Sequence, residues 1–257
     1  MPAYRVSKFF DQIIAPFLYL MDPQPDKWIF CENNSPDDTI YRLAQFKRPH
    51  EVLRFWVRRD ARHLLETEYD VIGIARQLLL QRARQLDPDW AVFIDADIQV
   101  VTPNLLDMLT SHDDADIVGG PYLRWYSNPS SPNIPNLLLA CNWPLPDDSA
   151  IRSFAQFLAG PKMKWDTGLL SVGGGCMALP RRVLQDRRLN FYPVLHPEIG
   201  PCSEDYGYCV AAKKLGYVIG LDASARVMHP TITLDLFYDK PWMVDENGKT
   251  PTFEYPA

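Results

Sequence analysis

Two carboxylates, Asp95 and Asp97, follow the apolar run Trp90-Ala91-Val92-Phe93-Ile94. The run is too short for a helix and leaves a Pro-containing turn, so it reads as a strand buried on both faces. Residues i and i+2 of an extended segment point to the same side, which lets both carboxylates reach one divalent cation or its water shell. Ligands of open α/β sheets sit beyond the carboxyl ends of the strands, where this pair stands. Asp-x-Asp recurs at Asp87/Asp89 and Asp114/Asp116, but neither of those pairs leaves a strand. A solvated strand end with Asp97 opening a turn fits the same residues.

Three other groups could do chemistry. Glu204 and Asp205 follow Ser203 and open a helical pattern that Gly216 closes. Capping and the helix dipole account for one of these acids and leave the second free for another role. Gly173, Gly174 and Gly175 permit close backbone approach to a ligand. His229 stands between an apolar strand pattern and Pro230, where a loop residue and a metal ligand are both consistent with the sequence.

Those groups need a scaffold, and the periodicities supply one. Helical spacing covers residues 6–21, with Pro16 as a kink. Strand patterns occupy 27–31 and 52–57, with a helix between them expected from Ser35 as N-cap and Pro36 as first residue to about Phe46. A strong helix over 70–86 leads into the Asp95 strand. This alternation calls for a largely parallel sheet covered on both faces. Further on, residues 105–109 read as a short helix, and 116–120, 168–179, 218–221 and 225–228 as strands. The Pro-, Ser- and Asn-rich stretch 126–150 is too long for a passive connection and reads as a mobile loop bordering a site.

At 257 residues and 47% hydrophobic content the chain can bury one substantial core. The net charge of −6 argues against nucleic-acid binding. Five cysteines without metal-type spacing cannot all pair within one chain, which fits a reducing, cytoplasmic compartment. No apolar run approaches the roughly 18 residues of a membrane span.

In this order the segments resemble the GT-A-fold, nucleotide-sugar-dependent glycosyltransferases, most closely the family-2 type. Pro2-Ala3-Tyr4-Arg5 is similar to the family's Pro-x-Tyr-Asn-like end of strand one. Glu32-Asn33-Asn34-Ser35-Pro36-Asp37-Asp38-Thr39 resembles its Asp-Asp-Gly-Ser-x-Asp-x-Thr segment. Ala75-Arg76, Asp95-Ala96-Asp97, Gly173-Gly174-Gly175-Cys176, Ser203-Glu204-Asp205 with Tyr217, and His229 then follow in the family's order.

The resemblance implies an α/β, Rossmann-like GT-A fold: a mostly parallel central sheet with helices on both faces and a small antiparallel part. It implies a domain over residues 1–234, with a donor half to about 100, an acceptor half beyond it, and a tail over 235–257 that could act as a lid. Asp97 and His229 would hold Mn²⁺, or Mg²⁺, with Asp95 reaching the metal shell or the ribose; the imidazole tilts the choice to Mn²⁺. Arg5 and Arg76 would meet the diphosphate of a UDP- or GDP-sugar, and Glu32 its base or ribose. Asp205 would be the general base toward an acceptor hydroxyl, on a glycan or another molecule, with Glu204 orienting that acceptor. Inversion is expected; Arg5, standing where the family usually has Asn, resembles retaining GT-A families, so retention is the alternative.

A sugar-phosphate nucleotidyltransferase would need a Gly-rich loop after strand one, and residues 2–15 contain no glycine. A phosphohydrolase would place its nucleophilic Asp near the first strand rather than the fourth. A non-catalytic carbohydrate-binding protein would have no use for the full acidic and His set. The spacing from Pro2 to Glu32 also places residues 1–5 at the carboxyl edge of a very short first strand.

Overall fold

The computed structural model describes residues 1–4, 6–7, 10–56, 68–96, 98–100, 102–126, 136–139, 141–142, 167–192, 194–196, 200–225 and 227–228. A three-stranded parallel sheet runs in the order Pro2–Ala3, Trp28–Asn33, His50–Phe55. A four-stranded sheet runs Ile219–Leu221, Ile117–Gly119, Cys176–Pro180, Trp90–Ile94. The two meet where the Ala96 N–H donates to the Pro2 carbonyl at 3.2 Å. The expected first strand is therefore in place, only two residues long, and Met1 extends it by accepting from the Cys31 N–H at 2.9 Å.

Successive residues of a strand face opposite ways, and here each face carries its own core. Phe30, Ile94, Val118 and Ala178 pack toward Phe10, Ile14, Leu18, Leu105 and Leu109. Their chain neighbours Cys31, Phe93, Ile117 and Met177 pack the other way, toward Leu79, Leu80, Val183, Leu184, Tyr208 and Ala212. Continuous apolar strands follow directly from this two-sided burial. The second layer is held by the Glu68–Leu86 helix, whose Arg84 donates to the carbonyls of Leu184, Asp186 and Leu189 at 2.6–2.7 Å.

Several expectations are corrected in detail. The first helix is a π-helical turn, Phe10–Ile14, followed by Ala15–Leu20. Pro16 lacks an N–H and its ring crowds the carbonyl four residues back, which widens the turn. Ser35 does not cap the next helix, which is Thr39–Ala44. The Glu32 carboxylate takes the Ser35 N–H, while Asp37 accepts from both the N–H and the hydroxyl of Thr39. The strand expected over 168–179 is two strands, Ser171–Val172 and Cys176–Pro180, separated by a turn at Gly173–Gly175. Cys176–Pro180 is antiparallel to both its neighbours, and this reversed strand sits inside the sheet. The stretch read as a loop contains Asn136–Leu139, antiparallel to Leu123–Tyr126, and Cys141–Asn142, antiparallel to Ser171–Val172. Its remaining residues, like the tail over 235–257, lie outside the described residues.

Candidate active site

Asp95 leaves the Trp90–Ile94 strand at the carboxyl edge of the sheet, and both of its oxygens accept from Nη2 of Arg76, at 2.8 and 2.7 Å. Arg76 projects from the long helix beneath and is only 3% exposed. Its Nη1 pairs with Oε1 of Glu204, the first residue of the Glu204–Lys214 helix. One guanidinium therefore ties the end of the Asp95 strand to the start of that helix. Burial works against its charge, but the Asp95 and Asp205 carboxylates outweigh this and hold Arg76 above its ordinary pKa.

The glycines complete this arrangement. A Cβ on Gly174 would lie 2.6 Å from Cζ of Arg76, so the absent side chain makes room for the guanidinium. The Gly174 N–H donates to Oδ2 of Asp205 at 2.8 Å, and the Gly175 N–H to the Tyr122 hydroxyl at 3.1 Å. Oδ1 of Asp205 accepts from the Tyr206 N–H at 2.7 Å and from the Ser203 hydroxyl. Burial, then the Asp95 and Asp205 charges, push the Tyr122 phenol well above its usual pKa, so it stays protonated. Asp205 remains partly exposed, whereas Glu204 is buried. Nε of Arg76 and Oε2 of Glu204 are buried without a hydrogen-bond partner among the described residues.

Of the residues singled out in the sequence, the fold brings Arg76, Asp95, Glu204 and Asp205 together. Glu32 stands apart, two strands away at the end of Trp28–Asn33. It is 1% exposed, and its oxygens take the Ser35 N–H and Nε of Arg54. Arg5, Asp97 and His229 lie outside the described residues. No group of three His, Cys, Asp or Glu side chains able to hold a metal occurs among the described residues. Asp95 accepts from Arg76 yet keeps a 19% exposed side chain.

Sequence reasoning missed Tyr122, Ser203 as a donor to Asp205, and Arg54. The Arg54 signal was present, because the parallel register sets Glu32 opposite Arg54. Cys31, Cys176 and Cys209 are buried thiols outside any disulfide, and burial pushes Cys176 and Cys209 up to about 12. Among the described residues no helix is long and apolar enough to cross a membrane.

No protein-family model matches the sequence, and neither does any curated protein. Solved structures do match. TarS from S. aureus shares 17% identity at a TM-score of 0.52, covering 92% of this chain and 37% of TarS. TarS 1-349 in complex with UDP shares 16% identity at a TM-score of 0.50, covering 88% of this chain and 58% of that structure. The chain has the GT-A fold. Glucosyl-3-phosphoglycerate synthase from Mycobacterium tuberculosis, solved with Mn²⁺, UDP and glucosyl-3-phosphoglycerate, is similar at a lower TM-score of 0.47 and 18% identity, covering 91% of this chain and 72% of that one. The GT-A chain described here spans little more than half of the TarS 1-349 structure.

Proposed function

We propose that the chain is a metal-dependent glycosyltransferase that moves a sugar from a UDP- or GDP-sugar to an acceptor hydroxyl with inversion at the anomeric carbon. The observation that carries this reading is the buried Arg76 bridge on a GT-A sheet. It holds Asp95 at the donor edge and Glu204 beside Asp205, which fixes a donor group and a candidate base relative to each other. Backbone N–H bonds from Gly174 and Tyr206 hold the Asp205 carboxylate in place and aim it. The acceptor hydroxyl gives its proton to Asp205 as its oxygen bonds to the anomeric carbon. The bond from that carbon to the diphosphate oxygen breaks, and its electron pair leaves with the nucleoside diphosphate.

A divalent cation, when bound, offsets the charge that builds on that leaving group. Asp97 and His229 would hold it, Mn²⁺ before Mg²⁺, with Asp95 reaching its shell. Support comes from the antiparallel pairing of Gln99 with Met228, which lays the segments leading to Asp97 and His229 side by side. Arg5 is assigned to the diphosphate. Arg76, enclosed by carboxylates, serves the donor through Asp95, and Glu204 serves the acceptor by fixing the start of the Asp205 helix. The cytoplasm is the proposed setting, in keeping with the buried thiols outside any disulfide.

Thermal unfolding against UDP- and GDP-sugars, with and without Mn²⁺, tests the donor class. A bound donor at 100 times its dissociation constant stabilises by about 2.7 kcal/mol. Asp205→Asn should keep that stabilisation while transfer or donor hydrolysis falls by roughly 10²–10⁴-fold. No stabilisation by any nucleotide sugar overturns the reading. Undiminished transfer by Asp205→Asn overturns the base assignment, and a product with the donor's own anomeric configuration, seen by NMR, replaces inversion with retention.

A further inference from the structure

Arg54 is the fifth residue of the His50–Phe55 strand and lies opposite Glu32 in the parallel register. Its Nε donates to Oε2 of Glu32 at 3.1 Å, and the other Glu32 oxygen is taken by the Ser35 N–H. Glu32 is 1% exposed and fully engaged, so it anchors Arg54 from behind. The guanidinium carbon sits 5.0 Å from the ring centroid of Trp56, which is 60% exposed. Nη1 and Nη2 of Arg54 have no partner among the described residues, and the side chain is 39% exposed. The result is a fork of N–H donors, fixed in orientation by a buried carboxylate and turned outward beside an open indole. A purely structural partner for Glu32 needs neither the outward fork nor the exposed ring, because a lysine ammonium supplies the charge alone.

The sheet order gives this fork its place. Crossing from His50–Phe55 to Trp28–Asn33, to Pro2–Ala3 and then to the Asp95 strand is three steps of strand spacing. At about 4.8 Å per step that is about 14 Å along the carboxyl edge. A nucleoside diphosphate lying along this edge with its phosphates toward Asp95 brings its base to Arg54 and Trp56.

We propose that Arg54 reads the nucleobase of the donor, with Trp56 as its stacking surface, and selects uracil or guanine, which present a carbonyl (O4 or O6) at the edge where cytosine and adenine present an amino group. The inference rests on reading the carboxyl edge as a nucleotide-sugar site and goes beyond it by naming what sets the choice of base. Arginine only donates, so it pairs with O4 of uracil or with O6 and N7 of guanine. The exocyclic amino groups of adenine and cytosine are donors, and facing the fork they leave donors on both sides unpaired. Stacking on an indole tolerates any base, so Trp56 adds affinity and Arg54 adds selectivity. Glu32 is the positioning residue that orients the reader.

The test is calorimetric binding of UDP, GDP, ADP and CDP to the full chain with Mn²⁺. UDP or GDP should bind on the order of tenfold or more tightly than ADP and CDP. Arg54→Lys keeps the charge against Glu32 and loses the fork, so it should fold with an unchanged melting profile and bind all four nucleotides with similar affinity, near that of wild type for ADP. Trp56→Ala should weaken all four by a similar factor and preserve the ranking. Equal wild-type affinities, or a preference that survives in Arg54→Lys, overturns the base-reading role while leaving the transferase reading intact. If none of the four binds, the donor-site reading falls and this inference falls with it.

Discussion

Replacing Arg76 with Met keeps the length of the side chain and removes the only cation between Asp95 and Glu204 among the described residues. Both carboxylates then face each other's neighbourhood without compensation. Glu204, 1% exposed, cannot recover solvation, whereas Asp95, with a 19% exposed side chain, recovers part of it. Removing one partner of a buried pair costs about 3–5 kcal/mol, and most of that falls on Glu204 here. Against a total stability of about 5–15 kcal/mol, Arg76→Met should sharply lower the urea midpoint. The pH dependence follows from the same charge. Without the cation, the folded state favours the protonated Glu204 carboxyl more than the unfolded chain does. Its contribution is present at acid pH and is lost as pH rises, so the variant should be hurt more at pH 8 than at pH 5. Glu204→Gln in the same background should give back part of the loss, with a coupling of about 0.5–3 kcal/mol in the double-mutant cycle. A penalty under about 1 kcal/mol at pH 8, with no relief at pH 5 and additive singles, would refute the bridge.

Two glycine substitutions separate crowding at the site from backbone strain away from it. Gly174→Ala puts a methyl 2.6 Å from Cζ of a guanidinium that two carboxylates pin, so it should cost about 1–3 kcal/mol. Gly216→Ala meets no atom within 4 Å but forces φ of +91° on a side chain, so a loss of about 1–2 kcal/mol there is backbone strain alone. Urea unfolding with donor titration separates them: Gly174→Ala should also weaken donor binding, and equal binding by both variants would count against the link between Arg76 and the site. Asp97→Asn and His229→Ala should each abolish Mn²⁺-dependent donor binding with the melting temperature of the free chain unchanged; unchanged metal dependence in either would show the ligand assignment to be wrong.

The covered sheet was legible because its strands bury both faces. Phe93 and Ile94, or Ile117 and Val118, are neighbours in the chain and belong to opposite cores, a pattern that only a doubly covered sheet requires. Strand direction was not legible for Cys176–Pro180, since its residues are as apolar as those of a parallel strand and its reversal depends on how the chain returns to the sheet. Ser35 has the composition of a cap, but the helix begins only at Thr39, whose N–H and hydroxyl are taken by Asp37. Ser35 and Asp37 both have cap-type side chains, and residue type alone does not say at which of them the helix starts.

At the site, residue type predicted membership better than role. The glycine run was read as room for a ligand, and the group that approaches Gly174 is the protein's own Arg76. An arginine on a long helix looks like a solvated or phosphate-facing group, because nothing in its own segment reveals that Asp95 and Glu204 enclose it. Burying Arg76 and Glu204 and partly burying Asp95 costs desolvation that well-packed apolar side chains would avoid, so stability alone does not explain the arrangement. The ion pairs instead impose a geometry. They fix the end of the Asp95 strand to the beginning of the Asp205 helix, and on the proposed mechanism a displacement of about 1 Å between the groups these elements carry can cost 10²-fold in rate. Because Asp95 and Glu204 come from separate elements, a buried cation that both contact sets their spacing more tightly than packing of apolar side chains would.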